Sequence, residues 1–115
     1  MDEPLGALIA RLRAEYLAEV PARLDELTRH ARALAREEPR ARDDLTRLFH
    51  RLAGSAGAYG FGTVTALCRG AEQELKQTQA SRPAAERMFR VISEIQAAFD
   101  AGPTTEAIAG NEDDT

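Results

Sequence analysis

The side chains with the most versatile chemistry in this 115-residue sequence are two histidines, His30 and His50, and one cysteine, Cys68. A neutral imidazole can act as a nucleophile, a proton carrier or a metal ligand. A lone cysteine forms no internal disulfide and is consistent with a reducing compartment. Neither histidine has a second His or Cys three or four residues away, the spacing that would place two ligands on one helix face. We therefore expect no metal site, and interpret His30 as an exposed helix residue.

His50 lies in a segment whose apolar residues recur at helical spacing. This stripe consists of Leu45, Leu48, Phe49, Leu52, Ala56 and Tyr59. At about 100° per residue the stripe shares one sector of the helix, facing the core, and His50 points away from it. The histidine's own side of the wheel holds Thr46, Ala53, Gly54 and Gly57, with Arg47 at its flank. The sequence therefore predicts an exposed imidazole above a floor of small residues.

Two glycines within this helix are costly for folding. Glycine in a helix interior costs about 1 kcal/mol relative to alanine. Because Gly54 and Gly57 lie on the side of His50, we interpret them, with Thr46 and Ala53, as a surface approached closely by another protein. The alternative is close packing against a neighbouring helix, with His50 an ordinary solvated residue.

Four further apolar stripes predict the helices around this one, over residues 5–16, 20–34, 64–75 and 85–99. We expect a break near Glu19 to Pro21, because proline lacks a backbone N–H. Asp43 or Asp44 is the predicted N-cap of the His50 helix, and Gly60 its stop. Thr63 is the predicted cap of the next helix, and Pro83 lies near the start of the last.

The short polar connections between these segments favour antiparallel neighbours. A composition with 5% aromatics and no Trp also favours helix over sheet. We predict an all-α fold, an antiparallel up-down four-helix bundle with an additional short N-terminal helix, over residues 1–100. Residues 101–115 are interpreted as a disordered acidic tail or linker.

The net charge of −4 provides no basic field for a nucleic-acid backbone. No run approaches the roughly 18 apolar residues of a membrane span, and the N-terminus begins with acids where a secretory signal has basic residues. These features predict a cytoplasmic protein that binds neither nucleic acid nor membrane, and we expect a monomer.

Residues 50–61, His-Arg-Leu-Ala-Gly-Ser-Ala-Gly-Ala-Tyr-Gly-Phe, resemble the phosphoacceptor signature of histidine-containing phosphotransfer (HPt) domains. They are also similar to the corresponding segment of chemotaxis histidine kinases. The resemblance implies that His50 is phosphorylated and that Gly54 permits docking of a receiver domain. It further implies that Glu72 accepts a hydrogen bond from the imidazole Nδ1–H, which leaves Nε2 free to attack phosphorus.

One residue departs from the family pattern. Many members have a lysine three residues after the histidine, whereas this chain has Ala53. Positive charge for the phosphoryl group would then come from Arg47, from Arg51 or from the partner.

The implied partners are response-regulator receiver domains and a sensor or hybrid histidine kinase. The Mg²⁺ needed for transfer is expected in the receiver, and no cofactor in this chain. Because the sequence has no Gly-rich ATP loop, we expect a phosphocarrier that neither binds ATP nor phosphorylates itself. Two alternatives stay open: the N-terminal phosphoacceptor domain of a chemotaxis-type or hybrid kinase, and a helical adaptor without phosphotransfer.

Overall fold

The computed structural model describes residues 4–104, which form four α-helices and no strand. These are α1 (Leu5–Ala35), α2 (Ala41–Ala58), α3 (Gly62–Gln77) and α4 (Ser81–Ala101). Helix α1 packs against α2 and α4, and α3 packs against the same two helices. The described chain is therefore an all-helical bundle, as the sequence predicted.

Two contacts between α1 and the α2 segment pair low residue numbers with high ones. Between α1 and α2, the ring of Tyr16 stacks on that of Tyr59. At the other end of the same helix pair, His30 lies beside Asp44. These contacts are consistent with the predicted antiparallel order.

The predicted break between the first two helical segments is wrong, because α1 is one continuous helix of 31 residues with Pro21 inside it. A proline in a helix removes one backbone hydrogen bond and crowds the preceding turn. Here Pro21 is exposed, while Tyr16, Val20 and Leu24 are buried on either side of it. Burial of that uninterrupted apolar face offsets the local cost. The short N-terminal helix is therefore the beginning of α1.

The core contains most residues of the predicted stripes. Its largest fully buried side chains are Phe49, Phe61, Leu27, Leu45, Leu75, Met88 and Ile95. Three residues assigned to the stripes, Leu5, Leu12 and Phe89, are exposed. The two leucines lie in the first turns of α1, ahead of Tyr16, which is the first buried residue of that helix.

The caps of α2 and α3 differ from the predicted ones. Helix α2 begins at Ala41, so Asp43 and Asp44 lie in its first turn. Their negative charges interact favourably with the positive end of the helix dipole. Helix α3 begins at Gly62, one residue before Thr63, which is therefore not its cap.

The stop at Gly60 is confirmed: α2 ends at Ala58, and Gly60 has a φ of 91°, a left-handed conformation that favours glycine. Pro83 lies in the first turn of α4, as predicted.

The chain leaving α4 is attached to the connection between α2 and α3. Ala101, where the predicted tail begins, is the last residue of α4. The backbone N–H of Thr104 donates to the Gly60 carbonyl over 2.9 Å, and its hydroxyl oxygen accepts from the Gly62 N–H over 2.9 Å. Most of the predicted tail, residues 105–115, lies outside the described residues.

Candidate functional site

His50 projects from the exposed face of α2. Its side chain is 72% exposed, whereas Phe49 beside it is fully buried. This contrast follows from the helix period, since the core stripe fixes which side of α2 faces inward. The predicted exposure of the imidazole is therefore what the structure shows.

A carboxylate from α3 lies beside the imidazole of His50. Oε1 of Glu72 lies 3.4 Å from Nδ1 of His50, and the Glu72 side chain is only 18% exposed. This separation is longer than the roughly 2.7–3.2 Å of an N–H···O hydrogen bond, so the carboxylate acts on the ring mainly through its charge. The structure thus brings together the two residues that the family resemblance paired. Glu72 lies at Nδ1, so Nε2 is the ring nitrogen that does not face this carboxylate.

The two glycines beside His50 differ in their surroundings. A Cβ atom added at Gly54 would meet no heavy atom within 4 Å, so this position is open to an approaching surface. A Cβ atom at Gly57 would lie 3.1 Å from Oγ1 of Thr65 on α3. The close approach of α3 therefore explains the glycine at position 57. Only Gly54 has the open surroundings expected of a docking surface.

Ala53 requires a correction, because its side chain is 1% exposed and forms part of the core. It was predicted to belong to a docking surface, but α3 covers it: its carbonyl accepts a hydrogen bond from Thr65 Oγ1 over 2.7 Å. Thr46 is half-buried and its hydroxyl donates to the carbonyl of Arg42 over 2.9 Å. Of the four predicted docking residues, Gly54 and Gly57 are therefore the exposed ones.

Neither candidate arginine is hydrogen-bonded to the imidazole of His50 in this structure. Nη1 of Arg47 lies 3.3 Å from Oδ1 of Asp44, one turn towards the N-terminus of α2. Arg51 lines a small cleft between α1 and α2 together with Arg23. Both side chains are exposed, and Arg47, three residues from His50, can reach it through a change of side-chain conformation.

Two sets of hydrogen bonds, neither apparent from the sequence, join α2 to α3 on either side of His50. The Arg42 guanidinium donates to the carbonyls of Leu75, Thr78 and Gln79 over 2.6, 3.0 and 2.9 Å. Beyond His50, Thr65 donates to Ala53. These bonds fix α3, and with it Glu72, against the helix that carries the imidazole.

Cys68 lies one turn before Glu72 on α3 and is fully buried. Burial, reinforced by the negative charge of Glu72, raises the pKa of its thiol to about 12, with Arg69 partly opposing the shift. A thiol that stays protonated is a poor nucleophile. Cys68 is therefore a core residue.

His30 is half-buried, which corrects its interpretation as an exposed residue. Its Nδ1 lies 2.9 Å from the carbonyl oxygen of Glu26, and its Nε2 lies 3.9 Å from Oδ2 of Asp44. Across residues 4–104, no group of three or more His, Cys, Asp or Glu side chains is arranged to hold a metal ion.

The four helices are amphipathic. Within the described range, none combines the length and the apolar character that a bilayer span needs.

Comparison with protein families matches residues 11–101 to the model of the Hpt domain. This match covers most of the chain, including all of α2 and α3 and the His50 and Glu72 pair. The chain therefore belongs to the Hpt domain family. Searches of curated proteins and of solved structures returned no match to this chain.

Proposed function

We propose that this protein is a phosphocarrier of a two-component phosphorelay in which His50 accepts a phosphoryl group and passes it on. The donor is a histidine kinase or the phosphoaspartate of a receiver domain, and the acceptor is the aspartate of a response-regulator receiver. The observation that carries the proposal is the exposed imidazole with a carboxylate at Nδ1 and an open glycine one turn away. Membership of the Hpt family supports the same chemistry.

The reaction follows from the two ring nitrogens of His50. With the proton on Nδ1, facing Glu72, the lone pair of Nε2 attacks phosphorus in line with the carboxylate oxygen of the donor aspartate. The N–P bond forms as the P–O bond breaks, and the aspartate leaves as a carboxylate. The positive charge that develops on the ring is stabilised by Glu72. Transfer to a second receiver is the reverse of these steps.

The receiver supplies what this chain lacks in the proposed reaction. We assign the Mg²⁺ and the acidic pocket to the receiver. The receiver would approach this chain closely at the surface around Gly54, where an added Cβ atom would meet no neighbour. Arg47 and Arg51 supply positive charge to the phosphoryl group after their side chains reorient. The proposed setting is the cytoplasm, as predicted from the sequence.

The test is phosphorylation by a phosphorylated receiver or an active hybrid kinase. We expect an acid-labile, alkali-stable label that is lost in His50→Gln and kept in His30→Gln, the matched change at the other histidine. A label that survives in His50→Gln would place the acceptor elsewhere. A protein that takes no label from any receiver, yet binds one equally well as His50→Gln, would be an adaptor.

The same proposal holds for a phosphoacceptor domain that works within a kinase. Sequencing the native reading frame beyond codon 115 distinguishes the two settings, because a kinase would continue into an ATP-binding domain.

A further inference from the structure

Asp44 lies between two basic side chains from different helices. Its Oδ1 is 3.3 Å from Nη1 of Arg47 on α2, and its Oδ2 is 3.9 Å from Nε2 of His30 on α1. The Asp44 side chain is 29% exposed, so the carboxylate is partly shielded from water. Each carboxylate oxygen therefore faces a different base.

Arg47 is placed midway between Asp44 and His50, three residues from each. Residues three apart on a helix are neighbours, with about 5–6 Å between their Cβ atoms. The guanidinium can therefore bind the carboxylate one turn before it or a phosphoryl group on the histidine one turn after it. Asp44 and His50 lie on opposite sides of Arg47 along the helix, and in this structure the guanidinium is with Asp44.

The orientation of His30 determines when it competes for the same carboxylate. Its Nδ1 is 2.9 Å from the carbonyl oxygen of Glu26, which can only accept, so Nδ1 carries a proton. A second proton would be bound at Nε2, the atom that faces Asp44. Only the doubly protonated, cationic ring attracts the Asp44 carboxylate.

The remaining charged groups around His30 line a cleft of about 420 Å³ between α1 and the start of α2. They are Arg29, Arg36, Glu38 and Arg40. Arg36 and Glu38 are paired with each other over 2.8 Å. Arg29 and Arg40 repel a cationic imidazole, so Asp44, whose Oδ2 faces Nε2 of His30, is the carboxylate of this cleft that would favour one.

We propose that Asp44 is a positioning residue, which holds Arg47 away from unmodified His50 and releases it to the phosphoryl group once His50 is phosphorylated. Protonated His30 weakens the hold of Asp44 on Arg47, because it neutralises the same carboxylate from its other oxygen. This inference rests on the proposed function of His50. A phosphoryl dianion competes effectively with one carboxylate for a guanidinium, because it offers more charge and more acceptor oxygens.

Linkage between the two sites gives the sign of the effect. Whatever neutralises or occupies Asp44 frees Arg47, and so favours phosphorylated His50. Asp44→Asn therefore shifts the phosphotransfer equilibrium with a receiver towards this protein by about two- to fivefold, the range for a solvent-exposed ion pair. Arg47→Gln shifts it in the opposite direction.

The double variant Asp44→Asn/Arg47→Gln isolates the pair. We expect Asp44→Asn to have no effect on the equilibrium when Arg47 is absent, and Asp44→Glu to restore the wild-type value. Asp43→Asn is the matched control, because it removes the same charge from the same turn of α2 at a residue that has no ion pair with Arg47.

Measuring the equilibrium as a function of pH tests the part of His30, because the ring attracts Asp44 only when Nε2 is protonated as well as Nδ1. As pH falls, the wild-type equilibrium should move towards phosphorylated His50 relative to that of His30→Gln. The difference should vanish when Asp44 is also replaced by Asn.

The outcomes separate this inference from the proposed function. A wild-type protein that is never phosphorylated overturns both. A wild-type protein that is phosphorylated, but whose equilibrium is unchanged in Asp44→Asn or is changed equally with and without Arg47, overturns only the role of Asp44.

Discussion

The carboxylate of Glu72 faces Nδ1 of His50 across 3.4 Å, and therefore lies at the ring nitrogen opposite the one that would attack phosphorus. We expect Glu72→Ala to slow transfer about fivefold, because one charge-assisted contact worth about 1 kcal/mol is lost from the cationic ring. Phosphorylation of His50 should persist. The transfer rate of Glu72→Gln, which keeps an acceptor oxygen, should fall between that of the wild type and that of Glu72→Ala. Single-turnover transfer from a phosphorylated receiver measures the rates, and a wild-type rate in Glu72→Ala would remove Glu72 from the mechanism.

A larger side chain at Gly54 should block docking without disturbing the fold. A Cβ atom at position 54 meets no other atom of the protein, so Gly54→Leu should fold normally. Because the leucine side chain would hold the two reacting groups apart, we expect transfer to slow about a hundredfold. Gly70→Leu is the matched control, because Gly70 is an exposed helical glycine that is equally open and lies on the side of α3 away from Glu72. Circular dichroism verifies the fold of both. Equal transfer rates in the two variants would contradict the docking role of Gly54.

The two glycines of α2 should respond differently to alanine. Gly54→Ala should raise the free energy of unfolding by up to about 1 kcal/mol, since alanine loses less backbone freedom and meets no neighbour here. Gly57→Ala should raise the free energy of unfolding by less than Gly54→Ala, or should lower it. Its new methyl group would lie 3.1 Å from Thr65 Oγ1. Urea denaturation compares the two variants. Equal stabilisation would mean that Thr65 moves freely away.

Arg42→Ala should destabilise the bundle by about 2 kcal/mol, because three carbonyls at the end of α3 lose their charged donor. Thermal unfolding measures the change. Arg90→Ala, a change of the same kind at an exposed position of α4, should leave the melting temperature nearly unaltered. A melting temperature that is equal in the two variants would show that water replaces Arg42 without cost.

The buried thiol of Cys68 predicts a loss of stability at high pH. Its pKa is about 12 in the folded protein, against about 8.5 for a thiol in an unfolded chain. Between these values the folded state binds more protons than the unfolded state, so the free energy of unfolding should fall as pH rises above about 8.5. Cys68→Ser should flatten this dependence, leaving the contribution of Tyr16, whose pKa is also raised by burial. Iodoacetamide should label Cys68 in urea and hardly at all in the native protein, and rapid native labelling would contradict this burial.

The sequence predicted the inward and outward faces of α2 because the helix period relates Phe49 directly to His50. It did not predict that α1 continues through Pro21, since the packing that offsets the proline involves other helices. Ala53 was misplaced for a similar reason: it lies at the border of the core on the wheel, and only the approach of α3 decides that it is covered. Thr65 and Arg42 bond to backbone carbonyls, which leave no signature in side-chain spacing.

The hydrogen bonds from Arg42 and Thr65 also bear on the mechanical behaviour of the site. A slip of α3 by one turn along α2 would break both connections together and carry Glu72 about 5.4 Å away from the imidazole. The hydrogen bonds of Arg42 and Thr65 lie on either side of His50. If α2 and α3 bend apart at one end, the hydrogen bond at the other end resists the movement. The backbone positions of His50 and Glu72 relative to each other are thus set when the bundle folds, before any partner binds.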